Sequence, residues 1–147
     1  MGLDQYAYAA ATETQYDDYW RDGVTDPVTH DYSNPTVGKP RELAYWRKHP
    51  NLQGWMENLW IEKLAAQGET PRESAYGSSF NGVQLELTWE DLERLEQDIL
   101  DAHLPETSGF FFGDDSSDYY KEQDLAFIQK ARSELFLGLK VFYNSSW

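Results

Sequence analysis

The order in which apolar patterns follow one another constrains the fold of this 147-residue chain more than any other feature. Segments in which apolar and polar residues alternate are typical of strands, and longer segments with apolar residues three or four positions apart are typical of helices. The predicted order is strand, long loop, helix, hairpin, helix, strand, helix, strand. We therefore expect a single α+β domain, in which about three helices pack on a small, mostly antiparallel sheet. Because the first and last elements are both predicted strands, we expect them to meet in that sheet.

The first half of the chain is predicted to hold one strand, one loop and one helix. Residues 1–11 form the predicted strand, and residues 12–38 form a long acidic loop because Gly, Pro, Asn and Asp favour turns. A helix is predicted over 41–67, with a kink or a fresh start at Pro50 and a C-cap at Gly68. Its apolar stripe consists of Leu52, Trp55, Met56, Leu59, Trp60 and Leu64.

In the middle of the chain, Asn81-Gly82 stands between short apolar runs and predicts a β-hairpin with a type I′ turn. Thr88 is the predicted N-cap of the next helix, with Asp91 placed for a capping box. The predicted buried stripe of this helix consists of Leu92, Leu95, Ile99 and Ala102.

The last third of the chain is predicted to alternate strand, helix and strand. Glycines flank three phenylalanines at 109–113, which favours a buried strand. A helix over about 118–137 and a strand over 141–143 complete the fold. The acidic turn 114–118 lacks the Gly and the Glu that a calcium-binding EF-hand loop requires, since Tyr119 and Leu125 occupy those positions. Capping of the next helix is the favoured interpretation of this turn, and weak metal binding is the alternative.

Composition excludes several classes of function. Twelve Lys and Arg residues face 26 Asp and Glu residues, so the formal net charge is −14. That charge disfavours broad contact with nucleic-acid phosphates or with an anionic membrane. It suits a basic protein partner or solubility alone. If all 14 excess charges lay on one face, they would match about 24 Å of duplex DNA, so DNA mimicry is a weaker alternative.

Motifs for catalysis and for cofactors are missing from the sequence. It has no cysteine, no phosphate-binding glycine loop, no dinucleotide fingerprint and no nucleophile elbow. Its three histidines, His30, His49 and His103, are far apart and form no zinc-binding pair. Neither a cofactor nor a metal is expected. With no apolar segment of membrane-spanning length and no leader, we expect a cytoplasmic protein without a membrane partner.

The scarce basic residues point to one candidate binding site. Four of the 12 lie between positions 39 and 48, and beside them the chain places two aromatic rings. An arginine next to a tryptophan can bind a phosphate or a carboxylate while the indole stacks on the ligand. In the alternative interpretation, Trp46 belongs to the core, and Arg47 and Lys48 pair with acidic segments. The full candidate set is Tyr45, Trp46, Arg47, Lys48, His49, Phe111, Ser145, Ser146 and Trp147.

Four motifs together resemble one family of small, uncharacterised proteins found in bacteriophages and bacterial genomes. They are Met1-Gly2-Leu3-Asp4-x-Tyr6, Tyr45-Trp46-Arg47-Lys48, Leu104-Pro105 followed by the glycine-flanked phenylalanines of 109–113, and the terminal Ser145-Ser146-Trp147. The resemblance implies a helix at the second motif, and, if the chain is phage-encoded, a location in the host cytoplasm.

Some members of that family, notably from phages of cyanobacteria, are labelled phosphoglycerate kinase. A chain of 147 residues without a phosphate-cradling loop does not support that label. The chain also departs from the family pattern, because His49-Pro50 interrupts the predicted helix and Gln53 replaces a histidine. Any role that needs that histidine is therefore in doubt.

Three functions remain open at this stage. We favour an acidic, non-enzymatic interaction protein that binds a host protein. The alternative is a small-molecule binding domain for an anionic, nucleotide-like ligand at the Trp-Arg-Lys segment. The third is an enzyme of unrecognised type. The oligomeric state stays open.

Overall fold

The computed structural model describes residues 2–17, 40–72, 79–105 and 117–147. Within them the elements in chain order are β1 (Asp4–Ala10), β2 (Arg41–Arg47), α1 (Pro50–Ala66), β3 (Leu85–Leu87), α2 (Trp89–Leu100), α3 (Ser117–Phe136) and β4 (Lys140–Ser146). The strands form one sheet in the order β2-β1-β4-β3, and each neighbouring pair is antiparallel. The predicted α+β class is therefore confirmed. The first and last strands pair directly, with Asp4 opposite Ser146, as expected.

One face of the sheet packs against the helices and forms the main core. Ala7 and Ala9 on β1 and Val141 and Tyr143 on β4 belong to this cluster. The helices contribute the residues Leu52, Met56, Leu92, Leu95, Phe127, Ile128 and Ala131. The opposite face of the sheet carries a smaller buried cluster of Tyr8, Ala10 and Phe142, against which Tyr16 packs.

The segment 41–47, predicted as helix, is strand β2, so this prediction was wrong. Ala7 pairs with Ala44 but Tyr8 pairs with Glu42, which leaves Leu43 as an extra residue in a β-bulge. The bulge resets the alternation of side chains, so Leu43 and Trp46 both belong to the core cluster although they are three residues apart. That spacing imitates a helix in the sequence. The fresh start at Pro50 is confirmed, because α1 begins there with proline at its N-terminus.

The three helices α1, α2 and α3 end in the same way. After each helix a residue with positive φ follows: Gly68 at 77°, Ala102 at 56° and Gly138 at 89°. In each case the N–H groups of this residue and of the next one donate to carbonyls in the last turn of the helix. Leu139 N–H, for example, donates to Glu134 O at 3.0 Å. This arrangement is the Schellman motif. The predicted cap at Gly68 is confirmed. The prediction that Ala102 is buried was wrong, because it lies beyond the helix and is exposed.

The Asn-Gly turn differs from the predicted type. Val83 N–H donates to Phe80 O at 3.0 Å across the turn, and φ is positive at Gly82 but not at Asn81. This pattern belongs to a type II turn, whereas a type I′ turn needs positive φ at both central residues. The following strand β3 pairs with β4. The predicted type I′ hairpin was therefore wrong for this part of the chain.

The remaining predictions have mixed outcomes. The helix beginning after Thr88 is confirmed with both hydrogen bonds of its capping box, and so are the last helix and the last strand. The strand predicted at 109–113, most of the acidic turn that follows it and most of the loop predicted at 12–38 lie outside the described residues. Among the helices described, none combines the length and the apolar character needed to cross a membrane.

Candidate functional site

The predicted site residues of β2 are divided between the two faces of the sheet. Trp46 is fully buried in the core, whereas Tyr45 and Arg47 are exposed. Gln5 of β1 lies between Trp46 and Ser145, and all three side chains are buried. The indole that was predicted to stack on a ligand is therefore a core side chain in the described structure.

Tyr45 and Arg47 converge on Asp4 at the outer face of the sheet. The Tyr45 hydroxyl donates to Asp4 Oδ1 at 2.7 Å and Arg47 Nη1 donates to the same oxygen at 3.1 Å. The hydrogen bond to Asp4 raises the pKa of Tyr45. Ser146 is paired opposite Asp4. An anion site at Arg47 stays a prediction, and Tyr45 rather than Trp46 is the aromatic residue beside Arg47 on this face.

Lys48 and His49 connect β2 to α1 and differ completely in exposure. Lys48 has a φ of 59° and an exposed side chain, and its N–H donates to Leu3 O at 2.9 Å. His49 is fully buried, and its ring stacks on Tyr120 of α3 at 4.5 Å between centroids. The Tyr120 hydroxyl donates to the carbonyl of Arg47. Tyr120 thus joins α3 to the edge strand β2.

A buried polar cluster, which we call the His49–Asp124 cluster, lies where β2 meets α3. His49 Nε2 is 2.8 Å from Asp124 Oδ2, and Trp46 Nε1 donates to Asp124 Oδ1 at 2.9 Å. Burial raises the pKa of Asp124, against the lowering effect of the hydrogen bonds from His49 and Trp46. Sequence reasoning missed Asp124. The sequence does carry one sign of it. Asp124 lies three residues before Phe127 and four before Ile128, so a helix places it on the same buried stripe of α3.

Gln5 extends this cluster across the sheet. Its side chain accepts from His49 N–H at 2.8 Å and donates to His49 O at 3.0 Å and to the Tyr143 hydroxyl at 2.8 Å. Tyr143 in turn donates to Gln53 Oε1 in α1, and burial raises the pKa of its phenol. Strands β1, β2 and β4 and helices α1 and α3 are therefore connected by one set of buried hydrogen bonds.

The chemical capacity of the His49–Asp124 cluster is limited by its burial. The side chains of His49 and Asp124 have no exposed surface. Asp124 Oδ1 accepts a hydrogen bond from Trp46 and Oδ2 is hydrogen-bonded to the ring of His49, so protein groups engage both oxygens. Gln53, which accepts from Tyr143, has a buried amide nitrogen without a hydrogen-bond partner among the described residues. A general base must reach the proton that it removes, so this geometry favours a role in stability.

The C-terminal tail is attached to the Asn81-Gly82 turn. Asn81 donates to Trp147 O at 3.1 Å and accepts from Trp147 N–H at 3.3 Å, and Gly82 N–H donates to Ser145 O at 2.8 Å. Trp147 is partly buried against the core. Phe111, the remaining residue of the predicted site, lies outside the described residues.

Many of the acidic residues on α2 contact other parts of the molecule. Asp91 is 2.6 Å from Lys63 of α1 and also caps the helix at Thr88. Asp98 accepts from Trp55 Nε1 at 2.8 Å, and Glu96 is paired with Arg132 of α3 at 2.9 Å. These carboxylates stabilise the packing of α2, so only part of its acidic face is available to a partner.

Two cavities among the described residues lie on either side of α3. The first, of about 330 Å³, is polar and lies between β2 and α3, where Arg41 Nη1 is 2.6 Å from the buried carboxylate of Glu134. The second, of about 410 Å³, lies between α2 and α3, and we call it the α2–α3 groove. It is lined by Trp89, Gln129, Arg132, Ser133, Phe136 and Leu137.

Neither metal-binding groups nor similarity to other proteins assigns a function to this chain. Within the residues that the structure describes, no three His, Asp or Glu side chains are grouped so that they can hold a metal ion. No family model, no curated protein and no solved structure matches this chain. The resemblance to phage proteins thus stays a prediction.

Proposed function

We propose that this chain is an acidic, non-enzymatic protein that binds a protein partner with a basic surface. If it belongs to the phage family that it resembles, the partner is a host protein and the location is the host cytoplasm. The observation that carries this proposal is an excess of acidic side chains that internal ion pairs leave uncompensated.

The charge balance of the described residues supports the proposal. They contain 18 Asp and Glu residues and 10 Lys and Arg residues, so their balance is 10 − 18 = −8. Basic residues that lie within ion-pair distance of an acidic one are Arg41, Arg47, Lys63, Arg94, Arg132 and Lys140. These pairs lie within the molecule and do not change the balance, so the described part of the chain keeps a net negative charge. Such a field attracts a basic partner and increases its rate of association.

The experiment is capture of a partner by the tagged chain from a host lysate, followed by binding of the two purified proteins at increasing salt. We expect a basic protein that is retained at about 0.05 M salt and released at about 0.5 M, since screening weakens contacts between exposed charges. A variant with Glu42→Gln and Glu122→Gln, which neutralises two exposed acidic side chains, tests whether the negative electrostatic field of the chain attracts the partner. Its association should be slower than that of a neutral control with Gln97→Ser. Retention of no partner at low salt, or equal retention at high salt, would overturn the proposal.

A further inference from the structure

Three exposed apolar side chains line the α2–α3 groove. Trp89 is 43% exposed, Phe136 86% and Leu137 57%. Isolated exposed residues such as Ile61 are ordinary on a protein surface, whereas a contiguous apolar patch marks a site of interaction. These three residues share one cavity, so they form such a patch.

The local folding of α3 does not require apolar residues at these positions. The Schellman motif at Gly138 uses an apolar contact of the residue that follows the glycine, and Leu139 is partly buried against the core. Phe136 and Leu137 precede the glycine and are turned to solvent. Their apolar character is therefore explained neither by the helix end nor by the core.

Trp89, which lines one side of the α2–α3 groove, is held in position by its neighbours. Trp89 Nε1 donates to Glu93 Oε1 at 2.9 Å, and the guanidinium carbon of Arg132 lies 5.7 Å from the centre of the indole ring. Arg132 is itself held by two hydrogen bonds to Glu96, at 2.9 and 3.1 Å. A preorganised aromatic side chain loses little conformational entropy on binding and is typical of the residues that dominate interface energies.

The charges around the groove determine what can occupy it. Arg132 is the basic residue of the lining, and Glu96 compensates its charge. Glu90 and Glu93 are exposed on the first turns of α2, beside Trp89, and the described ion pairs include neither of them. Neither side chain lines the cavity itself. Glu93 accepts from Trp89 and Glu90 is the next residue along the chain, so the charge beside the Trp89 side of the groove is negative, which favours a basic occupant. A second copy of this chain carries a net charge of −14 and would be repelled.

We propose that the α2–α3 groove is the docking site for a short partner segment that presents apolar side chains flanked by Lys or Arg. This inference rests on the proposed function and specifies the surface and the partner chemistry. Apolar side chains of the segment fill the space between Trp89 and Phe136, and its basic side chains face Glu90 and Glu93. An amphipathic helix laid into a groove is a common form of such recognition.

The test uses two synthetic, fluorescently labelled amphipathic peptides with the same leucine face, one with a lysine polar face and the other with a glutamate polar face. We expect only the lysine peptide to bind. Phe136→Ser should weaken its binding by about tenfold or more, because this side chain supplies much of the apolar wall. Tyr119→Ser is the matched control at a side chain of α3 that is 83% exposed, and it should bind as the wild type does.

Several results would overturn the docking proposal. These are absence of binding by the lysine peptide, equal binding of the glutamate peptide, or equal loss in Phe136→Ser and Tyr119→Ser. A wild-type dimer that Phe136→Ser dissociates, measured by sedimentation, would show that a second copy occupies the groove and would also overturn it. Circular dichroism of both variants checks that their fold is intact.

Partner capture with the same two variants separates this inference from the proposed function. If Phe136→Ser retains the salt-sensitive partner as well as the wild type does, the proposed function stands and the groove proposal fails. If the wild type retains no partner but binds the lysine peptide through Phe136, the groove proposal stands and the proposed function fails. Loss of the partner in Phe136→Ser alone supports both.

Discussion

Asp124 is the residue on which the buried polar contacts between β2 and α3 depend. Its two oxygens bind the indole of Trp46 and the imidazole of His49, and neither of those groups has solvent as a substitute partner. Removing the carboxylate leaves two buried groups without a hydrogen-bond partner, and each buried polar group left unsatisfied costs about 1–3 kcal/mol.

We expect Asp124→Ala to lower the free energy of unfolding by about 2–6 kcal/mol, because two buried groups lose their partner. Asp124→Asn should cost less, because its amide can still accept from Trp46 and donate to an unprotonated ring nitrogen of His49. Urea unfolding of both variants measures the difference, with Glu122→Ala at an exposed position of the same helix as the control. An Asp124→Ala protein as stable as that control would show that the cluster contributes nothing.

Tyr143 makes stability depend on pH in the alkaline range. Burial raises the pKa of its phenol above the ordinary 10.0, so the folded chain keeps a proton that the unfolded chain loses. The stabilisation is complete below the unfolded value and is lost as the pH rises above it. Tyr143→Phe should therefore make the free energy of unfolding fall less steeply above about pH 10.

At neutral pH the same substitution should lower the free energy of unfolding by about 1–3 kcal/mol, because Gln53 Oε1 loses its donor. Urea midpoints between about pH 8 and pH 11 measure both effects. A parallel alkaline fall in the two proteins would contradict the prediction.

At the scale of elements, apolar periodicity predicted those helices and strands in which buried side chains recur at a constant spacing along the sequence. Helices α2 and α3 are such cases, whereas strands β1 and β4 were predicted from short apolar segments and are buried over several consecutive residues. Strand β2 is not such a case, because the bulge at Leu43 places its two buried side chains three residues apart. A bulge depends on pairing with β1, which is distant along the chain, so no local pattern reveals it.

The α2 helix ends with a residue that is unfavourable for its conformation. Ala102 occupies the left-handed position of the Schellman motif with φ of 56°, where Gly68 and Gly138 serve the other two helices. A side chain with Cβ in this conformation costs about 1 kcal/mol. We expect Ala102→Gly to raise the free energy of unfolding by roughly 0.5–1 kcal/mol, and Gly138→Ala to lower it by a similar amount or more. Chemical denaturation measures both, and a destabilised Ala102→Gly protein would contradict this account.

At the scale of the whole molecule, the contacts that sequence reasoning missed are those between distant residues. Gln5 and Tyr143 are 138 positions apart, and His49 and Asp124 are 75 apart. The 45–49 part of the predicted site grouped residues by their proximity in sequence. Folding separates Trp46 from Arg47 by placing them on opposite faces of β2, and it brings Phe136 and Trp89 together in a groove. Adjacent side chains of a strand point to opposite faces, so the grouping failed once 41–47 formed a strand.

The net charge of the whole chain should make its stability increase with salt. Ion pairs such as Arg94–Glu62 are largely exposed, and exposed pairs contribute only about 0–1 kcal/mol each, so screening them costs little. Screening also relieves repulsion within a chain of net charge −14, and this second effect should dominate. We expect the thermal midpoint of unfolding to rise between about 0.02 and 0.3 M NaCl, over the range in which partner binding weakens.

The variant with Glu42→Gln and Glu122→Gln should have a higher thermal midpoint than the wild type at low salt, and its midpoint should change less when salt is added. A midpoint that falls as NaCl is added would show that the ion pairs outweigh the repulsion, and it would remove the basis for a strong negative field at the surface.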